Sequence, residues 1–111
     1  MKRVILAFLL LILLFVPAAV SFGDVYCSGV PMTVLVGAEG GQEGNLFAVF
    51  APGWQQHMLG PGTDEMAKER LAMAITAIST GYTLVLEYWN YTDCATAIAA
   101  HAIANSCQLR P

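Results

Sequence analysis

Three cysteines and two histidines are the side chains of this 111-residue chain that could bind a metal ion or act in nucleophilic catalysis. Cys94, His101 and Cys107 follow the spacing C-x6-H-x5-C, and Cys27 could complete a set of four zinc ligands. Structural zinc sites use shorter, characteristic spacings, which this set lacks. No pattern marks an activated thiol beside a histidine either. The sequence therefore predicts neither a metal site nor a catalytic cysteine.

Other catalytic patterns are also weak. Glu65 and Glu69 stand one helical turn apart, as paired carboxylates do in acid/base sites, but Lys68 and Arg70 beside them indicate an ordinary solvated face. The glycine-rich segment 40–44 carries a glutamate and no lysine, so it does not match a phosphate-binding loop. We predict a protein that is not an enzyme and that needs no cofactor.

An aromatic ring beside planar amides is the more informative combination. It occurs at Trp54, Gln55, Gln56 and His57. Sugars are bound by aromatic faces that stack on their C–H groups and by amides that hydrogen-bond their hydroxyls. These four residues are therefore candidate glycan contacts. The alternative interpretation is that Trp54 closes the open end of a small sheet, with the glutamines solvated beside it.

The first part of the chain resembles an export signal. Two basic residues precede an unbroken apolar run, 4–16, and small side chains stand just before Phe22. This pattern is typical of a secretory signal peptide, and the run is short for a membrane span. We expect cleavage of residues 1–21, export to the periplasm or the medium, and a single domain over 22–111. An uncleaved N-terminal anchor is the alternative.

Export makes a disulfide bond the expected state of the cysteines. Three thiols allow one bridge and leave one thiol free or linked to another chain. If the alanine-rich stretch 95–106 is helical, Cys94 and Cys107 lie about 20 Å apart, too far for a disulfide. Cys27–Cys94 is then the better pair, and closing that long loop would contribute roughly 4 kcal/mol.

The charge balance excludes one class of partner. After removal of the signal peptide, three strong bases stand against eight acidic residues. Binding to nucleic acid requires clustered lysine and arginine side chains, which the chain lacks. We therefore predict no nucleic-acid partner, and no membrane association after cleavage.

The elements that must position these residues follow from apolar periodicity and from turn residues. Residues 82–89 alternate, with Leu84, Leu86 and Tyr88 on one side and the set Thr83, Val85, Glu87 and Trp89 on the other. The order of elements predicts an α+β fold with an antiparallel sheet. In chain order we predict strands over 30–36 and 46–50, then a loop, or a distorted short strand inside a loop, over 51–62. A helix over 64–80, a strand over 82–89 and a helical tail over 95–110 follow.

The helix has the clearest signals. Thr63 is a suitable N-cap, acidic residues occupy the first turn, and Gly81 follows the last turn. One stripe is apolar and is predicted to face the core: Met66, Leu71, Ala74, Ile75 and Ile78. The other side carries small residues that could pack against another chain or simply fill a helix surface: Ala72, Met73, Thr76, Ala77 and Ser79.

Several of these segments together resemble a known family. Residues 27–30 lead a first strand, Ala77–Gly81 ends a helix with an A-x-x-T-G pattern, an alternating strand follows, and Asp93 precedes Cys94. This order is similar to that of small exported bacterial proteins related to toxin B subunits of the subtilase-cytotoxin and pertussis-like type. The similarity covers roughly residues 27–94.

The resemblance implies a small OB-like barrel or sheet with one central helix, over about residues 64–80. It also implies a ring of subunits whose helices pack toward the centre, and recognition of glycans. Tyr26 and Ser28 match the serine and aromatic residues near the start of the family's first strand. A second hypothesis is a structural or inhibitor-type exported protein that contacts another protein through the 52–62 loop.

Overall fold

The computed structural model describes residues 23–37 and 44–111. The predicted signal peptide, 1–21, lies outside the described residues. The elements in chain order are β1 (Asp24–Gly29), β2 (Thr33–Gly37), β3 (Asn45–Phe50), β4 (Gln55–Pro61), α1 (Glu65–Thr80), β5 (Thr83–Trp89), α2 (Cys94–Ala99) and β6 (Ser106–Arg110).

The strands form two three-stranded antiparallel sheets. Sheet I has the order β1-β5-β6, and sheet II has the order β2-β3-β4. Helix α1 contacts strands of both sheets, and α2 packs against β1 and β4. The predicted α+β class with one long helix is confirmed. The described strands stay in two sheets and do not form a closed barrel.

Sheet I contains a strand, β1, that ends before the first predicted strand begins. The single strand predicted over 30–36 is wrong at its start, because β1 ends at Gly29 and β2 begins at Thr33. Pro31 in the connection has no N–H to donate to a ladder. Within β1 the burial alternates, with Cys27 inside and Tyr26 exposed.

Sheet II contains a strand in the segment that was predicted as a loop or as a distorted short strand inside a loop. Residues 55–61 form β4, which pairs with β3 in a register that sets His57 opposite Ala48. The polar Gln55 and Gln56 hide the strand signal, since only every second position must be apolar when one face meets the core. Of the two alternatives predicted for 51–62, the strand is the one present, and it follows a short turn.

Helix α1 begins and ends close to the predicted residues. Asp64, one residue after the predicted Thr63, is the N-cap, and its carboxylate accepts a hydrogen bond from the Met66 N–H at 3.2 Å. Gly81 ends the helix in the left-handed conformation, with φ of 75°, and its N–H donates to the Ala77 carbonyl. A glycine adopts this conformation without the steric cost that a Cβ would bring.

The face that α1 buries differs from the predicted stripe. Its buried side chains are Ala67, Ala74 and Ala77, whereas three members of the stripe are exposed: Met66, Ile75 and Ile78. The helix lies too close to the sheets for larger side chains, since a Cβ at Gly60 would come within 3.0 Å of the Ala67 Cβ. Close approach of backbones selects alanine here rather than the largest apolar residues.

The C-terminal tail is not one helix. Asp93 caps α2 through a 2.7 Å hydrogen bond from the Thr96 N–H, and α2 ends at Ala99. Residues 106–110 then form β6 on the edge of β5, with Cys107 opposite Leu86. The alanines favour a helix locally, but pairing with β5 covers a core strand and overrides that preference.

Candidate functional site

The exposed face of sheet I brings together residues from β1, β5 and β6. Its register sets Asp24 opposite Trp89 and Tyr26 opposite Glu87, and Glu87 in turn opposite Ser106. Directly opposite residues of neighbouring strands point to the same side of the sheet. We call these five residues the Glu87 cluster.

Glu87 is the centre of this cluster. The Ser106 hydroxyl donates a 2.9 Å hydrogen bond to the Glu87 carboxylate. Hydrogen bonding with the Tyr26 hydroxyl is the largest cause of a lowered pKa of Glu87, followed by the bond from Ser106, and the Trp89 indole contributes as well. Hydrogen bonds to the ionised form stabilise it. Glu87 is therefore a carboxylate with fixed orientation at neutral pH.

The pKa values of the neighbouring groups shift in the opposite direction. Loss of hydration, together with the nearby Glu87, raises the pKa of the Asp24 carboxyl. The hydrogen bond to Glu87 also raises the pKa of Tyr26, so its hydroxyl keeps its proton. The cluster thus presents a hydroxyl, an indole and two carboxyl groups within one small area of the sheet.

Backbone contacts hold Trp89 at the end of β5. The Trp89 N–H donates to the Asn105 side-chain oxygen at 2.8 Å, and the Asn105 N–H donates to the Glu87 carbonyl at 2.8 Å. The N–H of Asn90 donates to the Gly23 carbonyl, where any Cβ would overlap the Tyr91 carbonyl. These contacts tie the start of β1 and the segment before β6 to the strand that carries Glu87 and Trp89.

The rings of Tyr26 and Trp89 are both available to a ligand. Each is 55% exposed; Tyr26 lies beside Glu87 on the neighbouring strand, and Trp89 follows Glu87 two residues along β5 on the same side of the sheet. Exposed aromatic rings beside hydrogen-bonding groups can stack on an apolar patch of a ligand while a carboxylate accepts bonds from its hydroxyls. Two carboxyl groups also disfavour an anionic ligand.

The residues predicted to bind a glycan lie in two different parts of the structure. Tyr26 and Ser28 are exposed on β1, in sheet I. Trp54 is 53% exposed in the turn that joins β3 to β4, and Gln55 and Gln56 are half-buried in sheet II. The predicted site is therefore two separate groups on different sheets.

His57, the remaining predicted contact, is buried with only 2% of its surface exposed. Its Nδ1 atom forms a 2.7 Å hydrogen bond with the Tyr88 hydroxyl, and its ring contacts Phe50 edge-on. Burial lowers the pKa of His57 to about 4, so the imidazole is neutral at pH 7. It belongs to the core between the sheets.

Sequence reasoning missed most of the Glu87 cluster. The alternation of 83–89 correctly put Glu87 and Trp89 on the side opposite the core residues. The strands on either side of β5, which are β1 and β6, were not predicted. Asp24 and Ser106 could therefore not be placed beside Glu87. The signal available in the sequence was the pair of an acidic and an aromatic residue on the polar side of an amphipathic strand.

The cysteines form the expected pair. Cys27 and Cys94 are joined by a disulfide, with Cα atoms 5.9 Å apart, and Cys107 is free and half-buried. The helical tail on which the elimination of Cys94–Cys107 relied is wrong, although the pair itself is right. A disulfide is compatible with an exported protein. Within residues 23–37 and 44–111, no three metal-ligating side chains come together.

Comparison with known protein families, curated proteins and solved structures found no match to this chain. Among the described helices, none is long and apolar enough to span a membrane.

Proposed function

We propose that the chain is a small exported binding protein, similar to the B subunits of subtilase-cytotoxin and pertussis-like toxins, that binds a glycan through the Glu87 cluster. The observation that carries this proposal is the pair of exposed rings, Tyr26 and Trp89, that both neighbour an ionised carboxylate, Glu87, held by the Ser106 hydroxyl. The cluster has the parts of a binding site, and the proposed activity includes no catalysis.

The chemistry of the cluster favours a neutral sugar. A hexose offers one face of C–H groups to an aromatic ring and hydroxyls to a carboxylate acceptor. An acidic sugar would place its carboxylate close to Glu87 and Asp24, where like charges repel. Arg110, the basic residue of β6, donates two hydrogen bonds to Gln108, and its charge lowers the pKa of Tyr26 less than Glu87 raises it.

Self-assembly is part of the proposal. Each sheet has two edge strands, β1 and β6 in sheet I and β2 and β4 in sheet II, and a sheet edge can pair with a strand of another copy. The exposed side of α1 adds apolar and small residues that suit close packing between chains: Met66, Ala72, Ile75, Thr76, Ile78 and Ser79. A head-to-tail contact between different edges closes into a ring when its rotation permits.

A glycan array with the purified protein tests the binding site. Trp89→Ala should weaken binding to a neutral glycan about tenfold or more, the loss expected for a stacked ring worth roughly 1.5 kcal/mol. Glu87→Gln should weaken it as well, because the ionised acceptor is lost. Trp54→Ala is the matched control, since Trp54 is equally exposed but lies in the other sheet, and it should bind like the wild type.

The same experiment discriminates the second candidate, a protein that contacts another protein through the β3–β4 turn. Trp54 favours this candidate, because its ring is exposed and its backbone is in the left-handed conformation, with φ of 54°. Absence of glycan binding by the wild type, together with loss of a protein partner in Trp54→Ala, would replace the glycan proposal with this one.

Light scattering with and without reductant tests self-assembly. A ring that persists in reductant supports it, and a monomer contradicts it.

A further inference from the structure

A hydrogen bond between a histidine and a tyrosine joins the two sheets inside the core. His57 lies on β4 of sheet II and Tyr88 on β5 of sheet I, and the bond from Nδ1 to the hydroxyl oxygen is 2.7 Å long. The two rings are also stacked, with centroids 5.7 Å apart. Both side chains are buried, so water does not share this contact.

The surroundings of His57 contain no counter-ion among the described residues. Phe50 and Ala48 cover it from β3, and Tyr91 packs on Tyr88 from the turn after β5. Helix α2, which packs on β4, consists of Cys94–Ala99 and has no charged side chain.

The titratable groups that face this pair from the other described elements do not supply a compensating negative charge either. From α1, Arg70 points toward β4, donates a 3.0 Å hydrogen bond to the Leu59 carbonyl and acts on Tyr88 with its positive charge, so this neighbour is a cation and not a counter-ion. From β6, the Cys107 thiol lies near Tyr88, and burial raises its pKa, which keeps it neutral. The acidic side chains of α1, Glu65 and Glu69, are exposed to solvent.

We infer that the His57–Tyr88 contact is an acid-sensitive joint between the two sheets, and that protonation of His57 loosens their packing. A protonated imidazole carries a proton on both ring nitrogens, so Nδ1 can then only donate to the Tyr88 oxygen, and a positive charge lies in the core between the sheets. Tyr88 cannot supply a negative charge, because burial raises its pKa. An unpaired buried charge is strongly disfavoured.

The direction of the pH dependence follows from linkage. Burial lowers the pKa of His57 to about 4 from 6.5, so between these values the unfolded chain binds more protons than the folded protein. Stability is therefore full above pH 6.5 and declines as the pH falls toward 4. Tyr88 lies between Glu87 and Trp89 on β5, so movement of the joint also reaches the exposed face of sheet I.

Urea unfolding at pH 7 and pH 5 tests the inference on wild type, His57→Asn and His101→Asn. Asparagine keeps a polar group near the Nδ1 position and has no charge at either pH, and His101 is an exposed histidine that serves as the matched control. The unfolding equilibrium constant of the wild type should rise about 20-fold from pH 7 to pH 5. His101→Asn should show the same rise, and His57→Asn less than about threefold.

A second measurement keeps the inference testable if His57→Asn does not fold. The imidazole resonances of His57 in the wild type should show the neutral form down to pH 5 in the folded protein. Titration of His57 near pH 6.5 in the folded state would overturn the inference, as would equal pH dependence of wild type and His57→Asn. The lowered pKa values of Glu87 and Asp93, from ordinary values of 4.5 and 3.8, act below pH 5, and the raised pKa of Asp24 acts in the opposite direction but equally in the wild type and both variants.

Discussion

The outer faces of the two sheets differ sharply. That of sheet I carries the Glu87 cluster with its exposed rings, although Val85 on the same side of β5 is buried. That of sheet II carries no charged residue on its described strands and consists of Thr33, Leu35, Phe47, Val49, Gln56 and Met58. Phe47 is 2% exposed and Val49 fully buried, although both point away from the core that Leu46, Ala48 and Phe50 line.

This difference indicates a division of roles. Strand β3 is buried on both sides, as is usual for strands that contribute mainly to stability. Strand β5 has one buried side and one side that presents Glu87 and Trp89. A ligand site on sheet I can therefore change without disturbing the core, whereas sheet II tolerates little change on either face.

Replacement of one aromatic residue on each outer face gives the largest expected contrast. Phe47→Ala should lower the free energy of unfolding by about 3–5 kcal/mol, because it empties a buried site. Tyr26→Ala should change it by no more than about 0.5 kcal/mol, since that ring is exposed. Urea unfolding at pH 7 measures both, and similar losses in the two variants would refute the proposed division of roles.

Loss of the disulfide should lower the free energy of unfolding almost as much as Phe47→Ala. Cys27→Ser removes a bond that closes a sequence separation of 67 residues and should cost roughly 4 kcal/mol under oxidising conditions. Cys107→Ser removes the free thiol and serves as the control, with a much smaller expected loss. Thermal melts with and without reductant compare the variants, and a wild type that melts equally in both conditions would contradict the assigned pair.

Gly60 tests the close packing of α1 on sheet II. Gly60→Ala places a Cβ 3.0 Å from the Ala67 Cβ at a backbone φ of 125°, and should cost about 2–3 kcal/mol. Gly44→Ala is the control, since its φ is 79° but no atom lies within 4 Å of the added Cβ. It should cost about 1 kcal/mol. Equal losses in urea unfolding would mean that α1 can move away from β4 easily.

The smallest expected effect concerns Glu87. Its lowered pKa means that the ionised form stabilises the folded state above pH 4.5, and that this contribution disappears as the pH falls through the folded-state pKa. Glu87→Gln should therefore be slightly less stable than the wild type at pH 7 and equally stable near pH 3. Denaturant midpoints at the two pH values measure the difference, and a constant difference would show that ionisation is not its cause.

The amino-acid sequence by itself determined the local features of this protein. The alternation of Leu84, Leu86 and Tyr88 identified β5 and its buried side, and acidic residues and Gly81 located the ends of α1. These signals are local because a strand side repeats every two residues and a helix end needs its own hydrogen-bond partners. Export and the Cys27–Cys94 pair were likewise predicted from the sequence, and the structure contains that pair.

Only the tertiary structure decided which face of α1 is buried, which polar segments become strands, and which residues meet at the site. Ala67 and Ala77 are buried instead of Ile75 and Ile78 because the helix approaches the sheets closely. Strands β1, β4 and β6 form because their partners supply hydrogen bonds and cover, which no local pattern reveals. The Glu87 cluster exists because pairing between strands far apart in the chain sets its members side by side.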